Sequence, residues 1–229
     1  METFSRTEQP PTGDTIDFTV MYAAHDAFRR DLDRLATAVA AGKADAPLVR
    51  AGWENFTRQL HLHHAVEDAV LWPRVARAAA GSRADLDLLR AMEDEHARID
   101  PLLAAVDAAL PGGAGKPVPA RRAGGAPVDG LAERVDELRA VLGEHLTHEE
   151  GSALPLMRSV LTQDDWRAFT GEMRRRQGVK GAAVFVPWIV DGAAPVDRSR
   201  FLASMPPPVR ALNRLTWEPR YRKRRLWNV

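Results

Sequence analysis

The chain has 229 residues, of which 45% are hydrophobic and 28% are charged, a composition typical of a protein with a folded apolar core. It contains no cysteine, which excludes disulfides, thiolate zinc sites, iron–sulfur clusters and cysteine nucleophiles. The start of the chain is polar, and the longest apolar run, Ala182–Val190, is too short to span a bilayer. We therefore expect a soluble, cytoplasmic protein with no membrane span.

The net charge of +1 conceals an uneven distribution along the chain. From Arg198 to the end there are nine basic residues and a single acid, Glu218, so this tail carries a charge of +8 and residues 1–197 carry −7. We expect the basic tail to dock on the acidic body or to aid solubility, rather than to bind nucleic acid.

Four long segments carry apolar residues at steps of three and four, the pattern of amphipathic helices that share a core. We predict helices over residues 17–39 and 47–79, a third that starts after the N-cap Ser82, and a fourth that starts after Gly130. No comparable stretch alternates with a period of two. The sequence therefore predicts an all-α fold, an up-down four-helix bundle with a short extra helix and an irregular C-terminal extension.

A segment rich in glycine and proline and a helix capping box set the expected domain limits. Residues 111–130 are rich in glycine, proline and alanine and are predicted to be a flexible connection within the bundle. Thr162 and Asp165 have the spacing of a capping box, which predicts the short fifth helix. We expect residues 1–14 to be a flexible N-terminus, 15–177 to form the bundle domain, and 178–229 to be an extension that carries the basic tail and covers apolar surface.

All seven histidines lie in the four predicted bundle helices: His25 in the first, His61, His63 and His64 in the second, His96 in the third, His145 and His148 in the fourth. One histidine of each helix continues the apolar stripe. His63 follows Leu60 by three residues, for example, and His145 follows Leu142 by three. His25, His63, His96 and His145 are therefore predicted to face the bundle interior.

Two carboxylates accompany these histidines. Glu67 follows His63 by four residues and Glu149 follows His145 by four, which places each glutamate about 40° from its histidine and one turn along. A buried carboxylate is costly unless a cation lies beside it. Four imidazoles and two carboxylates are the donor set of a dinuclear metal site.

The second and fourth helices share the pattern His-x3-Glu-[Asp/Glu]-x4-Pro, which ends at Pro73 in one and at Pro155 in the other. Such a repeated pair of helices suits a nearly two-fold metal site. Proline interrupts the hydrogen bonds of a helix, so we expect both helices to bend just beyond the site.

The order His, His-x3-Glu, His, His-x3-Glu between about Thr15 and Val160 resembles the hemerythrin-like family, also called the HHE cation-binding domain. The resemblance implies a four-helix bundle that holds a non-haem di-iron centre, with two iron ions joined by an oxo or hydroxo bridge. Carried over onto this sequence, it implies six ligands, with both glutamates bridging: His25, His63, Glu67, His96, His145 and Glu149.

The chain departs from the classical oxygen carriers of that family, which have a His-x3-His pair in the third helix. Here Asp100 stands four residues after His96, and the site is more similar to the four-histidine, two-glutamate centres of iron-repair and actinobacterial hemerythrin-like proteins. Asp100 is either a further ligand or outer acceptor, or an N-cap before Pro101 where the helix kinks; we favour the cap.

Four other side chains are expected at the edge of the site or outside it. His148 is expected to flank the site as an outer group or a proton donor, whereas His61 and His64 are expected outside the ligand shell because they point 100° or more from His63. Tyr22, one turn before His25, is either an ordinary core residue, which we favour, or a hydrogen-bond donor to a bound ligand.

Three functions fit these residues. The first, which we favour, is a di-iron protein that binds O2, NO or peroxide for sensing, buffering or stress defence. The second is an oxidoreductase, catalase- or peroxidase-like or NO reductase-like, that uses the same centre. The third is a structural zinc or manganese site in an interaction module. Whether the centre turns over a substrate stays open at this point.

Overall fold

A computed structural model of the chain describes residues 16–111 and 130–228. Every regular element within these two ranges is helical, and no strand occurs there, which confirms the predicted all-α class. The predicted flexible N-terminus 1–14 and nearly all of the predicted connection 111–130 lie outside the described residues.

Four helical rods form the bundle, and two of them continue through a π turn. The rods are α1 (Thr19–Ala40), α2 (Pro47–Val66) with a π turn (Glu67–Leu71) and α3 (Trp72–Ala78), α4 (Arg83–Ala109), and α5 (Leu131–His148) with a π turn (Glu149–Ala153) and α6 (Leu154–Val160). The Ser82 hydroxyl caps α4 by accepting a hydrogen bond from the Asp85 amide at 3.3 Å. α5 packs against α1 and α4, and α1 also packs against α2.

The buried apolar residues form two clusters along the bundle. One cluster contains Phe28, Leu60, Ile99 and Leu142 and lies on one side of the predicted ligand histidines. The other cluster lies on the opposite side and contains Met21, Val66, Met92 and Ala153. The histidines therefore sit within the bundle, between two apolar layers.

The predicted bends at the prolines take the form of π turns. Each of the two turns ends two residues before a proline, at Leu71 before Pro73 and at Ala153 before Pro155. Proline has no N–H to donate, and its ring collides with the carbonyl four residues earlier in a regular helix. A π turn inserts one residue into the ladder and relieves both problems at the point where the glutamates stand.

Pro101 behaves differently, and the prediction that Asp100 is an N-cap before it is wrong. α4 runs without interruption through Pro101, and Asp100 is an exposed residue within the helix rather than an N-cap. The apolar residues on either side, Ile99 and Leu103, are both buried in the bundle. Their packing compensates for the one backbone hydrogen bond that the proline removes.

The predicted short fifth helix is present and reaches a kink at Gly178, whereas the C-terminal extension is helical and not irregular as predicted. It consists of α7 (Gln163–Val190), α8 (Pro195–Ser204), α9 (Pro207–Leu212), a π turn (Asn213–Trp217) and α10 (Glu218–Arg224). The capping box at Thr162 and Asp165 is present as predicted. At Gly178, where we expected the helix to end, the backbone has φ 59° and ψ 178°, a conformation open to glycine.

Burial explains why the extension folds into helices despite its prolines. Residues 186–190 are buried, and α7 packs against α1 and α2. Pro195 and Pro207 stand in the first turn of α8 and α9, where a helix needs no N–H from the residue.

The tail attaches to the bundle through apolar side chains, as expected for a segment that covers apolar surface. Tyr221 and Trp227 join the larger apolar cluster, and the Trp227 amide donates to the Leu48 carbonyl at 3.0 Å. A Cβ atom at Gly52 would lie 2.4 Å from the Trp227 ring, so only glycine admits this contact. Arg220 and Lys223 are exposed, whereas Arg198 and Arg222 pair with the buried Glu218.

Among the helices of the described ranges, none has both the length and the apolar character required to cross a membrane.

Candidate metal centre

The structure brings all six predicted ligand residues together in the middle of the bundle. The four histidines come from α1, α2, α4 and α5 and are buried, and both glutamates are completely buried. Glu67 and Glu149 are the first residues of the two π turns. Widened turns of this kind are common at functional sites.

The first of two donor groups consists of His25, His63 and Glu149. One nitrogen or oxygen atom from each lies within 4.8 Å of the others. The Nε2 atom of His25 lies 3.2 Å from Nε2 of His63 and 3.3 Å from Oε2 of Glu149. These atoms are close enough to bind one common ion.

The second donor group consists of His64, His96 and His145, again with ligand atoms within 4.8 Å of one another. The His64 ring stacks on His96 with centroids 3.9 Å apart, and it meets the His145 ring edge-on at 5.4 Å. We expected His64 to lie outside the ligand shell, and this expectation is wrong about its position. His63 and His64 point about 100° apart on α2, and both are buried in the bundle.

Each glutamate lies between the two groups. Oε1 of Glu67 lies 3.0 Å from Nε2 of His63, and its Oε2 lies 3.8 Å from Nε2 of His96. Oε2 of Glu149 lies 3.3 Å from Nε2 of His25 and 3.9 Å from Nε2 of His145. Both carboxylates therefore have the position of a bridge.

Outer carboxylates hold the far nitrogen of three of these rings. Nδ1 of His25 lies 3.0 Å from Oε1 of Glu150, and Nδ1 of His96 lies 2.8 Å from Oδ1 of Asp68. A carboxylate only accepts, so each Nδ1 carries a proton and Nε2 is the nitrogen that faces the interior. The sequence contained this signal, because Asp68 and Glu150 are the acids that follow the two glutamates in the repeated pattern. We did not predict their role.

The third outer carboxylate connects the site to the surface. Oε2 of Glu95 lies 2.9 Å from Nδ1 of His145, and its Oε1 lies 2.8 Å from Nδ1 of His148. The His148 side chain is 38% exposed. His148 is thus an outer group, as expected, linked to a core histidine through one carboxylate.

The remaining candidates, Asp100 and Tyr22, belong to neither donor group. Asp100 is exposed, and its Oδ1 lies 3.9 Å from Nε2 of His61, which is also exposed. Asp100 is therefore neither a ligand nor an outer acceptor. Tyr22 is half-buried and packs against the apolar cluster that contains Trp72 and Met92, in keeping with an ordinary core tyrosine.

The charges of the site are unevenly stabilised. Burial raises the pKa of Glu67 well above its usual range, and the nearby Glu149 adds to this shift. Burial also opposes ionisation of Glu149, but the imidazole of His25 outweighs it and lowers the pKa of that carboxyl to about 2. Burial alone would lower the pKa of His25, and Glu149 and Glu150 together raise it to about 9. The protein groups thus stabilise one buried ion pair and leave the second glutamate neutral.

Burial favours the neutral form of His63, His64 and His145. Burial lowers the pKa of His63 and of His64 well below the usual range, and neighbouring imidazoles lower both further. Burial also lowers the pKa of His145. A neutral imidazole is the form that binds a metal.

Several polar atoms that face the centre have no hydrogen-bond partner in the described part of the chain, and for this reason they fit a metal. Several are buried and form no hydrogen bond in the described part of the chain: Nε2 of His64, His96 and His145, and both carboxylate oxygens of Glu67 and Glu149. Leaving such atoms unpaired is costly. Imidazole nitrogens with carboxylate oxygens suit divalent transition metals, so these residues fit a metal centre.

An aromatic wall screens one side of the site. The Phe28 ring lies 5.4 Å from the His63 ring and 5.2 Å from that of Trp188. Trp188 belongs to α7, so the extension contributes to the shell around the site.

Comparison with known families places these features in context. The model of the hemerythrin HHE cation binding domain matches residues 17–157, more than half of the chain. The match includes both glutamates, both π turns and every residue of the two donor groups. Comparison with curated proteins and with solved structures found no match. The chain belongs to the hemerythrin HHE cation-binding family, and its buried histidines and glutamates are groups that could hold the cation.

Proposed function

We propose that the protein is a non-haem di-iron protein in which six residues bind two iron ions and both glutamates bridge them: His25, His63, Glu67, His96, His145 and Glu149. The observation that carries this proposal is the set of buried, unpartnered oxygens of Glu67 and Glu149 between two groups of imidazoles. Two cations would neutralise both carboxylates, which the protein groups alone do not.

The donor set suits iron. It contains imidazole nitrogens and carboxylate oxygens and, since the chain has no cysteine, no thiolate. Sites of this type suit iron and other redox-active ions that need nitrogen as well as oxygen. Outer carboxylates on three of the rings fix their orientation and increase their basicity.

We propose further that the centre binds O2, NO or peroxide in sensing, buffering or stress defence. Bound iron would supply a change of oxidation state and a position for a small ligand. The chain's own contribution is to hold the imidazoles in place through Asp68, Glu95 and Glu150 and to limit the access of water. Phe28 and Trp188 exclude water on the side of His63.

Metal analysis of the protein purified in air tests this function. We expect about two iron ions per chain and the near-ultraviolet absorption of an oxo-bridged iron pair. Zinc or manganese alone, with a featureless spectrum, would overturn the proposal and favour a structural metal site in an interaction module.

A second candidate is an oxidoreductase that consumes peroxide or reduces NO. The observation that favours it is the path from solvent through His148 and Glu95 to His145, which can carry a proton between the surface and the centre. Addition of H2O2 to the iron-loaded protein should then release O2, and His148→Ala should slow this release while His61→Ala, at an exposed site, should not. Absence of turnover would leave binding as the function.

A further inference from the structure

We infer that His64 is a metal ligand that completes a three-imidazole half of the centre with His96 and His145. This inference rests on the proposed function and adds a residue to it. It divides the centre into two unequal halves, with His25 and His63 on one side and three histidines on the other.

The position of His64 is the first argument. The residue is buried, and one of its ring nitrogens lies within 4.8 Å of ligand atoms of His96 and His145. Its ring stacks on His96 at 3.9 Å between centroids, and His96 in turn has its Nε2 atom 3.8 Å from Oε2 of Glu67. His64 therefore lies beside the imidazole whose Nε2 atom faces the second oxygen of Glu67.

The unpaired nitrogen of His64 is the second argument. Its Nε2 atom is buried and forms no hydrogen bond in the described part of the chain. A histidine kept for packing alone would pay for burying a polar nitrogen without any partner. The nitrogens of His96 and His145 that face the same point are unpartnered as well. Three buried imidazoles whose ligand atoms lie within 4.8 Å of one another, each with an unpartnered nitrogen, form a candidate cation site.

Helix geometry supplies the third argument. Consecutive residues of an α-helix point about 100° apart, so a helix that faces the bundle axis can direct one side chain to each side of that axis. His63 contacts His25 of α1, and His64 contacts His96 of α4 and His145 of α5. The adjacent histidines thus serve different halves, while Glu67, one turn later, spans both.

Iron binding to the full chain tests the inference. The protein is stripped with a chelator and titrated anaerobically with Fe(II), and the bound iron is counted after desalting. We expect the wild type to bind about two iron ions and His64→Ala to bind about one tightly. The second ion should bind to His64→Ala at least about 100-fold more weakly, since even loss of an outer partner weakens metal binding by about 10- to 100-fold. His61→Ala is the matched control, because His61 lies on the same helix and is exposed; it should bind two.

The outcomes separate this inference from the proposed function. Two tightly bound ions in His64→Ala would overturn the ligand role of His64 and leave the di-iron proposal intact. A wild type that binds no iron would overturn both. His63→Ala should also lose one ion, but from the other half, so the double variant His63→Ala/His64→Ala should lose both.

A measurement on the wild type covers the case in which His64→Ala fails to fold. Nitrogen NMR of histidine-labelled protein with Zn(II) alone as the probe reports on each ring nitrogen. Nε2 of His64 should shift to the range of metal-bound imidazole together with Nε2 of His96. A His64 resonance that stays in place while His96 shifts would show that His64 only packs against the site.

Discussion

Four buried carboxylates divide the described part of the molecule into two kinds of region. Asp31 and Glu218 lie where the extension packs, and both are held by cationic and N–H donors. Asp31 accepts from Arg30 at 2.9 Å and from Trp188 at 2.8 Å. Glu218 accepts from Arg198 at 2.6 Å and from Asn213 at 3.1 Å.

Glu67 and Glu149 have no such partners. Their oxygens are as deeply buried, but they face imidazoles and form no hydrogen bond within the described ranges. A buried carboxylate with arginine beside it holds the fold together, whereas a carboxylate surrounded by imidazoles offers its oxygens to a cation. The two regions therefore predict opposite effects of the same substitution.

The largest expected effect is the loss of metal in Glu67→Gln. The amide keeps the shape of the side chain but cannot bridge two cations, so iron should fall from about two ions to fewer than one per chain. Because burial already disfavours the charged form of Glu67, the chelator-stripped variant should differ in stability from the stripped wild type by no more than about 1 kcal/mol. Metal counting and urea unfolding measure the two quantities. Retention of both ions would contradict the bridging role.

The next effect is a loss of stability without loss of metal, in Asp31→Asn. Removing one partner of a buried ion pair leaves the other charges uncompensated. We expect the free energy of unfolding to decrease by about 3 kcal/mol, the low end of the range for buried pairs. The low end applies because Arg30 and Arg34 are partly exposed. The iron content of the folded variant should stay at the wild-type value. Asp33→Asn, an exposed residue paired with Arg139, is the control and should cost at most about 1 kcal/mol. Equal costs at both positions would mean that burial of Asp31 is irrelevant.

A smaller effect on metal is expected for Glu150→Gln. This residue holds Nδ1 of His25 at 3.0 Å, so its loss should weaken iron binding by about 10- to 100-fold while saturating iron still fills the site. A competition titration against a chelator measures the change, and Glu144→Gln, at an exposed position of α5, serves as its control. An unchanged affinity would show that the outer carboxylate does not orient the ring.

The smallest effect is expected for Glu218→Gln, the counterpart of Glu67→Gln in the extension. It should leave iron unchanged and lower the free energy of unfolding by about 1 kcal/mol, because Arg222 is largely exposed and its pairing is screened by solvent. Thermal unfolding with metal analysis gives both values. If iron were lost here, the distinction between the two kinds of buried carboxylate would fail.

Local rules predicted most of the bundle. The apolar period located the four rods, and the caps at Ser82 and Thr162 are formed as predicted. The four-residue steps from His63 to Glu67 and from His145 to Glu149 placed each pair on one face, since that relation lies within a single helix. The order of the histidines and glutamates along the chain was also enough to select the six residues that we propose as ligands.

Local rules failed where neighbouring elements decide the outcome. At Pro101 the helix rule predicts a break, but burial of Ile99 and Leu103 on either side keeps α4 continuous. The extension showed no helical period, and its helices form because residues 186–190 and Tyr221 find apolar surface on the bundle.

The sequence by itself determined which residues share a helix face, and therefore the fold class and the histidine–glutamate pairs. Only the tertiary structure decided how each helix is rotated about its own axis. That rotation brings His64 beside His96, points Asp100 to solvent, and sets Asp68 and Glu150 against histidines of neighbouring helices. The reason is physical: angles within a helix follow from its backbone hydrogen bonds, whereas the rotation of one helix against another follows from the packing of all of them.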